Sequence, residues 1–386
     1  MSEWVTAKFK DVAKVVTGKT PQTSKTEYYG GDIPFVSPAD LNESVLGKTK
    51  IYLTKQGADQ VYIVPKNTVL VSCIGSLGKL AIVNKEVCFN QQINGLIFDE
   101  SKIFPKYGFY FAQTLKPQLE KASSSTTLPI VNKSRFSELE IKYPSLAEQR
   151  RIASILDQAD ELRQKRQQAI EKLDQLLQAT FIDMFGDPIS NPKGWDVGCI
   201  GDMLESVKYG SSDKATLEGE IPILRMNNLT YSGEMDLTDL KYITKVQADE
   251  KYLVKEGDIL FNRTNSKELV GKTAIYVGPE PMAYAGYLVR ARTKANYAPE
   301  YISAFLNSPW GKEKLQSMCK SIVGMANINA KEFQSIVLPI PPENEQIQFK
   351  NKVLTIREKK RLLINQLSIL DTLFKSLQNQ AFSGNL

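Results

Sequence analysis

Few residues of this chain could do covalent chemistry. It contains no histidine, which excludes Ser-His-Asp and Cys-His catalysis, histidine metal ligation and histidine acid–base work within the chain. The cysteines lie far apart and lack Cys-x-x-Cys spacing, at Cys73, Cys88, Cys199 and Cys319. They fit reduced cytoplasmic thiols better than a zinc site or disulfides.

Motifs for phosphate binding and group transfer are also missing. Gly-Lys-Thr occurs at 18–20, 47–49 and 271–273, but the first glycine that a P-loop needs is replaced by Ala13, Asn42 and Ser266. The chain has neither the Asn-Pro-Pro-aromatic tetrad of an adenine methyltransferase nor the Pro-Asp dipeptide of a restriction-type nuclease core. The sequence therefore predicts no catalytic residue and no metal site.

Four loops in the second half are rich in short polar and basic side chains, at 208–214, 225–228, 262–267 and 325–329. Arg and Asn are the residue types that read guanine and adenine edges in a major groove, and Ser, Thr and Lys suit phosphate contacts. Taken singly, Asn and Ser more often make turns. Four such loops, each at the end of a predicted strand or helix, favour a binding surface.

An internal repeat places these loops, because residues 1–144 and 188–341 share one order of features. Each half has a short amphipathic segment, a glycine-containing loop, an Ile-Pro strand, three further strands and a helix opened by proline. The matching stretches are 9–16 with 200–207, 33–36 with 221–224, 65–72 with 255–262, 78–83 with 271–277, 93–98 with 285–292, and 105–122 with 299–318.

A long helix follows each half. Residues 145–184 contain no glycine or proline, and apolar residues recur every three or four positions from Ile152 to Phe181, including Leu162 and Leu176. Gly186 and Pro188 supply the stop. About forty residues at roughly 1.5 Å each give a rod on the order of 60 Å.

The end of the chain repeats this pattern with a heptad seam of apolar residues, at Phe349, Val353, Ile356, Leu363, Leu367, Leu370, Phe374, Leu377 and Ala381. Such a seam needs a partner, and two helices with a domain between them can pair antiparallel. We therefore predict an α/β (α+β) fold of two similar globular domains, 1–144 and 188–341, separated by two long antiparallel helices, 145–187 and 342–386. The helices form a coiled coil, and the whole has a pseudo-two-fold internal repeat.

Composition agrees with a soluble cytoplasmic protein of two or three domains: 386 residues, 42% hydrophobic and 24% charged. No run of eighteen apolar residues could span a membrane, and the N-terminal residues have no apolar signal core. The net charge of +6, with its excess in residues 1–144 and 342–386, permits nucleic-acid binding without demanding it.

Several motifs resemble the specificity subunits of Type I restriction–modification systems. They are YGSSDKA at 209–215, ILRMNNL at 223–229, ILFNRTNSKELVGKTAIY at 259–276, AGYLVRAR at 285–292, VAKVVTGKTPQTSKTEYYGGDIPFVSPADL at 12–41, FNQQ at 89–92 and SLAEQRRIASILDQAD at 145–160. The resemblance implies a non-catalytic subunit in which each target recognition domain reads one half of a bipartite double-stranded DNA site. The helices fix the spacer and dock two methyltransferase subunits, with two restriction subunits as optional partners. No cofactor is expected in this chain, since S-adenosylmethionine would sit in the methyltransferase.

The resemblance also implies DNA contacts in both domains. In the second domain they are Lys208, Tyr209, Ser211, Ser212, Arg225, Asn227, Asn228, Arg263, Thr264, Asn265, Lys272 and Asn327. In the first they are Lys19, Thr20, Ser72, Ser76, Lys79, Gln91, Gln92, Ser124 and Thr126. The first domain has CIGSLGK where the second has RTNSKELVGK, so it lacks the arginine and is expected to read different bases through Ser and Gln.

Three alternatives remain at this level. The first is a stand-alone sequence-specific or architectural DNA-binding protein, which would bind duplex tightly without a methyltransferase. The second is a coiled-coil scaffold joining two protein-binding domains, which would show little salt-dependent DNA affinity. The third, an enzyme acting alone, is disfavoured by the missing motifs.

Overall fold

The structure is a computed structural model that describes residues 4–41, 45–124, 128–248, 250–322 and 325–386. The chain divides into two compact units. Unit 1 consists of Met1–Lys165 and Gln366–Leu386, and unit 2 of Arg166–Asn365. Each of the two long helices passes from one unit into the other, so each unit contains one end of each helix.

The first half of the chain alternates short strands and short helices. Its strands are β1 Val5–Lys8, β2 Ala13–Thr17, β3 Tyr29–Val36, β4 Ile51–Leu53, β5 Val69–Ser72, β6 Leu80–Ile82, β7 Cys88–Phe89, β8 Ile93–Phe98 and β9 Glu140–Tyr143. Its helices are α1 Phe9–Val12, α2 Lys55–Ala58, α3 Pro105–Ala112, α4 Lys116–Ala122 and α5 Lys133–Ser137, before the long helix α6 Leu146–Phe185.

The second half repeats this order. Its strands are β10 Val197–Cys199, β11 Leu204–Tyr209, β12 Ile221–Leu224, β13 Lys241–Ile243, β14 Ile259–Asn262, β15 Thr264–Asn265, β16 Thr273–Ile275, β17 Ala283–Tyr284, β18 Leu288–Thr293, β19 Lys320–Ile322, β20 Met325–Asn327 and β21 Val337–Pro339. Its helices are α7 Pro299–Asn307, α8 Pro309–Met318, α9 Ala330–Gln334 and the long helix α10 Glu343–Ser383.

The sheet topology confirms the internal repeat. Unit 1 has a four-stranded antiparallel sheet in the order β2-β8-β5-β6, and unit 2 has its counterpart in the order β11-β18-β14-β16. The three-stranded sheet β4-β3-β7 corresponds to β13-β12-β17, and the pair β1-β9 to β10-β21. Unit 2 adds a further sheet, β15-β20-β19.

The prediction of one helix at 105–122 and one at 299–318 was wrong, since each stretch forms two helices. Proline biases its preceding residue away from helical angles. Ser308 is accordingly extended before Pro309, and its hydroxyl accepts from the amide of Gly311 to cap α8. In the first half, Pro117 stands in the first turn of α4.

The long helices begin and end close to the predicted positions. Helix α6 starts at Leu146 and ends at Phe185, where Gly186 adopts a φ of 73° and its amide donates to the carbonyl of Ile182 at 2.8 Å. A residue in the left-handed region closes the helix, and glycine adopts it without strain.

In unit 1 the two helices run antiparallel. Arg163 of α6 forms an ion pair with Asp371 of α10 at 2.6 Å, and its guanidinium lies 4.6 Å from the ring centroid of Phe374. Arg151, nearer the start of α6, donates to the carbonyl of Leu386, which follows the end of α10. Increasing numbers on one helix therefore meet decreasing numbers on the other.

Unit 2 repeats this arrangement with the roles of the helices exchanged. Lys360 of α10 pairs with Asp174 of α6 at 2.5 Å, and Phe349 of α10 packs against Phe181 and Phe185 of α6. Lys360 and Asp174 occupy the repeat positions of Arg163 and Asp371. The predicted antiparallel pairing and pseudo-two-fold repeat are thus confirmed at the level of individual ion pairs.

The apolar stripe is only partly buried. Ile152, Leu156 and Phe181 of α6 are buried, whereas Leu162 is 54% exposed and Leu176 48% exposed. These two leucines of the predicted stripe stay uncovered, because a pair of helices covers only a narrow seam. The exposed leucines leave apolar surface for another partner.

A buried glutamine joins each long helix to its unit. In unit 1, Gln149 accepts from the amide of Phe104 and donates to the carbonyls of Lys102 and Pro144. In unit 2, the side chain of Gln346 accepts from the amide of Ala298 and donates to the carbonyl of Pro341.

These two glutamines satisfy buried backbone groups at the start of a short helix, since Phe104 precedes α3 and Ala298 precedes α7. An unsatisfied buried amide or carbonyl costs free energy. The first turn of each long helix is therefore fixed to the same point of each domain.

We expect Gln346→Leu to lower the free energy of unfolding by about 1–3 kcal/mol, because the amide of Ala298 and the carbonyl of Pro341 lose their partner. Urea denaturation followed by circular dichroism measures this change. Gln348→Leu is the matched control, since Gln348 is exposed on the same helix. Equal stability of the two variants would contradict the role assigned to Gln346.

Candidate nucleic-acid interface

Four chain segments of unit 2 meet beside the ends of β11 and β14. The amide of Ser211 donates to the carbonyl of Tyr284 at 2.8 Å, and the amide of Arg263 donates to that of Tyr287 at 3.0 Å. The amide of Ile328 completes the junction by donating to the carbonyl of Arg263 at 2.9 Å. Three of the four polar loops predicted from the sequence, 208–214, 262–267 and 325–329, thus come together.

Glycine is required where the segments cross. A Cβ on Gly210 would lie 2.4 Å from the carbonyl oxygens of Tyr284 and Ala285. A Cβ on Gly18 would lie 2.2 Å from the carbonyl oxygen of Asn90 and 2.3 Å from that of Phe89, at the corresponding crossing of unit 1. The glycine of the Gly-Lys-Thr at 18–20 therefore serves a close backbone approach.

Arg263 is held in place by an aromatic ring. Its guanidinium lies 4.9 Å from the ring centroid of Tyr209, and the tyrosine hydroxyl in turn accepts from the amide of Ala330 at 3.0 Å. The Arg263 Nε has no hydrogen-bond partner among the described residues. This cation–π contact orders the side chain, while Tyr209 itself remains 45% exposed.

The adjacent small sheet carries amide and hydroxyl groups. Thr264 of β15 lies opposite Asn327 of β20, and the Asn327 side-chain amide donates to the Thr264 hydroxyl at 3.2 Å. Asn265 is half-buried beside them. Arg263, Asn265 and Asn327 thus form one polar surface with Lys208 and Tyr209.

The turn at 225–228 forms a separate cluster around Asp239. Arg225 donates to the Asp239 carboxylate at 2.8 Å and to its carbonyl at 3.0 Å, and Asn227 donates to the same carboxylate. Asn228 is buried and donates to the carbonyls of Asp236 and Asp239. Arg225 is therefore already neutralised, and Asn228 closes the turn.

Lys272 is buried beneath this turn. Its ammonium donates to the carbonyl of Met226 at 2.6 Å, and burial lowers its pKa. Lys312 lies nearby, 4.3 Å from the ring centroid of Tyr231, and donates to Asn307 at 3.1 Å. Burial, followed by the charge of Lys272, lowers the pKa of Lys312 to about 8.

Unit 1 brings the corresponding segments together with different side chains. The amide of Lys19 donates to the carbonyl of Phe89 at 3.0 Å, and the Thr20 hydroxyl donates to Gln91 at 2.6 Å. The amide of Cys73 donates to the carbonyl of Gln92 at 2.8 Å. Cys73 therefore occupies the backbone position of Arg263, which confirms that the first domain lacks this arginine.

Burial separates the predicted contact residues into two groups. Those with exposed or half-buried side chains are Lys208, Tyr209, Ser212, Arg225, Asn227, Arg263, Asn265 and Asn327 in unit 2, and Lys19, Thr20, Ser76, Lys79, Gln91, Gln92 and Ser124 in unit 1. Those that are buried are Ser72, Ser211, Asn228, Thr264 and Lys272. The predicted contact Thr126 lies outside the described residues.

The five buried residues have structural roles in the free chain, where each is at most 8% exposed. Ser211, for example, donates to Asp213 at 2.5 Å and orders its own loop. Ser72 and Asn262 hold matching positions next to the glycine turns, and both are fully buried. Sequence pattern alone could not separate them from their exposed neighbours.

Three features were missed by the list of contact residues. Tyr287 is 53% exposed beside Arg263 and belongs to the same surface. Asp239 neutralises Arg225, and Asp213 accepts from Ser211. The Tyr-Leu-Val sequence after Gly286 could have indicated Tyr287. Asp239 is distant in sequence from Arg225, and Asp213 belongs to no distinctive pattern, so the sequence indicated neither aspartate.

Two observations concern the metal-binding and thiol chemistry of the described residues. Among the described residues, no group of three or more His, Cys, Asp or Glu side chains could hold a metal ion. Burial raises the pKa of Cys73 to about 12 and that of Cys88 to about 11, so both thiols stay protonated and unreactive. No described helix has the length and apolarity to cross a bilayer.

Comparison with known proteins defines the class. The model of a family described as Type I restriction modification DNA specificity domain matches residues 1–172 and 192–360, once in each half of the chain. The chain belongs to this family of DNA specificity domains, as its motifs predicted.

Whole-length relatives share this class. The chain is 25% identical to the Type I restriction enzyme MjaIX specificity subunit of Methanocaldococcus jannaschii, over 95% of this chain and 89% of the relative. It is 23% identical to the EcoKI specificity subunit of Escherichia coli K12, over 99% and 89%. A solved S subunit from M. genitalium shares the fold, with a TM-score of 0.59 and 17% identity over 99% of this chain and 96% of that one.

Lys312 gives this domain a testable pH dependence. Because its pKa falls from an ordinary 10.5 to about 8 on folding, the unfolded chain binds more protons between these values. The contribution of Lys312 to the free energy of unfolding should therefore rise with pH through that window.

Lys312→Met should remove this rise and stabilise the protein at pH 7.5 by about 1–3 kcal/mol. Urea denaturation of both proteins at pH 7.5 and pH 9.5 measures the difference. Lys314→Met, exposed on the same helix, is the control. An unchanged difference between the two proteins at the two pH values would contradict the depressed pKa.

Proposed function

We propose that this chain is the DNA-reading subunit of a Type I restriction–modification complex, in which each domain recognises one half of a bipartite double-stranded DNA site. The observation that carries this proposal is the duplicated polar junction, built on the same backbone crossing in both units but with different side chains. A common scaffold with divergent side chains suits two half-sites of unrelated sequence. The specificity-subunit relatives support it.

The two half-sites are read by different chemistry. In unit 2, Arg263 is ordered by Tyr209 and suits the two acceptors of a guanine, while Asn265 and Asn327 suit adenine. In unit 1, the same junction presents Gln91, Gln92 and Thr20. Lys19, Lys79 and Lys208 are exposed and supply phosphate contacts.

The long helices set the spacer between the half-sites and dock the methyltransferase subunits. Both helices carry large apolar side chains that are 40% or more exposed, at Leu162, Leu176, Ile182, Ile347, Leu354, Leu362, Ile364, Ile369 and Leu373. Apolar surface at this density favours a protein partner. Lys359 and Arg361 are exposed beside them, whereas Arg151 already pairs with Glu148.

Catalysis is assigned to the partners. We place S-adenosylmethionine and the methyl transfer in two methyltransferase subunits, and DNA cleavage in two optional restriction subunits. This chain contributes no catalytic group, in keeping with its lack of histidine. The complex works in the cytoplasm, where it meets chromosomal DNA.

Arg263→Ala tests base reading in unit 2. Loss of a bidentate guanine contact should weaken binding by about 1–3 kcal/mol and relax preference at one base position of one half-site. Selection of bound duplexes from a randomised pool, by the assembled complex, measures both effects. Uniform weakening on all sequences would instead make Arg263 a phosphate contact.

Arg225→Ala is the matched control for that experiment. Arg225 is an arginine of the same unit whose charge is already paired with Asp239. Its loss should leave the base preference of both half-sites unchanged. A change as large as that of Arg263→Ala would show that the 225–228 turn opens on DNA.

A matched lengthening of both helices tests the spacer role. Seven residues are inserted between Arg163 and Asp174 on α6, and seven between Lys360 and Asp371 on α10, so that both ion pairs are kept. Seven residues add about 10 Å, or roughly three base pairs of duplex. The preferred spacer should lengthen by that amount with both half-site sequences unchanged. Insertion into one helix alone is the control, which should disrupt assembly.

The function as a whole is tested by mapping methylated adenines in the source genome with and without this gene. Loss of methylation at one two-part motif is the expected result, and it also supplies the recognition sequence. A methylome that stays the same in a strain expressing the gene and an active methyltransferase would overturn the proposal.

A further inference from the structure

Unit 2 contains a cavity of about 420 Å³ between α6, α7, α8 and the 231–232 loop. Its apolar lining is Leu177, Phe181, Ile182, Tyr231, Ala304 and Trp310, and Asp174 lies at its edge. A volume of this size is within the range of small-ligand pockets. Neither the DNA-facing surface nor the helix seam uses it.

Comparison with the corresponding positions of unit 1 indicates which kind of side chain would fill this space. In unit 1, Phe374 and Tyr110 occupy the repeat positions of Leu177 and Ala304. Both rings are buried, with their centroids 6.1 Å apart. The cavity of unit 2 thus arises where two aromatic side chains of the repeat are replaced by leucine and alanine.

The ion pair beside the space is kept, although Phe181 and Ile182 of the lining stand where unit 1 has Gln378 and Asn379. In unit 1 the guanidinium of Arg163, paired with Asp371, covers the Phe374 ring at 4.6 Å. In unit 2 the equivalent ion pair, Lys360 with Asp174, is present next to the cavity. An aromatic ring placed there would meet the same kind of contacts as Phe374.

The exposed apolar residues around the opening of the cavity indicate which kind of molecule would supply an aromatic ring. Ile182 is 46% exposed at the edge of the cavity, and Leu176 is exposed one residue before Leu177 on the same helix. Tyr231 and Pro309 extend the exposed border on the other side. A free metabolite would leave these residues uncovered, whereas a protein partner covers them together with the ring.

We propose that this cavity receives an aromatic side chain, Phe or Tyr, of the methyltransferase subunit that docks on α6. This inference rests on the proposed function, since it names an anchor point for that partner. In the part of the chain that the structure describes, the anchor site is open in unit 2, whereas Phe374 and Tyr110 fill the corresponding site in unit 1. It therefore distinguishes the two ends of an otherwise pseudo-symmetric subunit.

The first experiment probes the cavity in the absence of the methyltransferase. It uses toluene, which has the structure of a phenylalanine side chain as a free molecule. In the full chain with Trp4→Phe and Trp195→Phe, Trp310 is the only remaining tryptophan. Toluene should change its fluorescence saturably, with a dissociation constant below about 5 mM. Leu177→Phe with Ala304→Tyr copies the unit 1 residues, and it should weaken toluene binding at least tenfold. Equal toluene binding by the filled variant would overturn the assignment of the cavity.

The second experiment measures assembly with the methyltransferase subunit of the proposed complex from the same cell, by calorimetric titration. The filled variant should bind the methyltransferase at least tenfold more weakly, and Ala304→Phe alone should give the same direction if the double variant folds poorly. Val246→Phe is the control, since Val246 is 93% exposed in unit 2 and lies outside the cavity lining and both long helices, and it should stay within twofold of wild type. Normal affinity of a folded, filled variant would overturn the anchor.

The two proposals fail in different ways. If the wild-type chain does not assemble with the methyltransferase, the proposed function is wrong, even where toluene binds. If assembly and site-specific methylation are normal in wild type and in the filled variant, only the anchor is wrong. DNA binding by the filled variant checks that unit 2 is otherwise intact.

Discussion

The pairing of the two long helices inside each unit is the interaction on which the rest of the structure depends. Each core contains one end of α6 and one end of α10, joined by apolar contacts such as Phe349 with Phe181 and Phe185. Because the helices pass from unit to unit, neither core is complete without a segment of each long helix, and unit 1 is built from both ends of the chain. The ion pairs at Arg163 and Lys360 fix the register of that pairing.

A repeat built on this pairing lets one scaffold carry two different surfaces. The buried elements stay alike: the glutamines at the first turn of each helix, the close crossing at Gly18 and Gly210, and the sheet order. The side chains at the crossing differ, with a half-buried Arg263 in one unit and a buried Cys73 in the other. Fold stability and base choice therefore reside in separate residues, which allows the reading surface to change without loss of the core.

Sequence reasoning was most successful for features that occur in both halves of the chain, because the same local pattern then marks the same tertiary contact twice. The helix bounds, the repeat, the absent arginine of the first domain and the family could all be predicted, since periodicity, Gly186 and paired motifs are visible in the chain. The accessibility of the predicted contact residues could not be read from the sequence. Ser72, Asn228 and Lys272 have the right chemistry and the wrong accessibility, because burial depends on segments far away in sequence.

By itself, the sequence determined the class of protein, the order of its elements and the absence of histidine chemistry, since these follow from residue types and their spacing. Only the tertiary structure decided which arginine is available, because Asp239 neutralises Arg225 while Tyr209 orders Arg263. It also decided that aromatic side chains fill the space beside the long helix in unit 1, whereas the corresponding space in unit 2 is a cavity. That difference includes the volumes of the side chains at two repeat positions, which meet only after α3 or α7 has packed against a long helix.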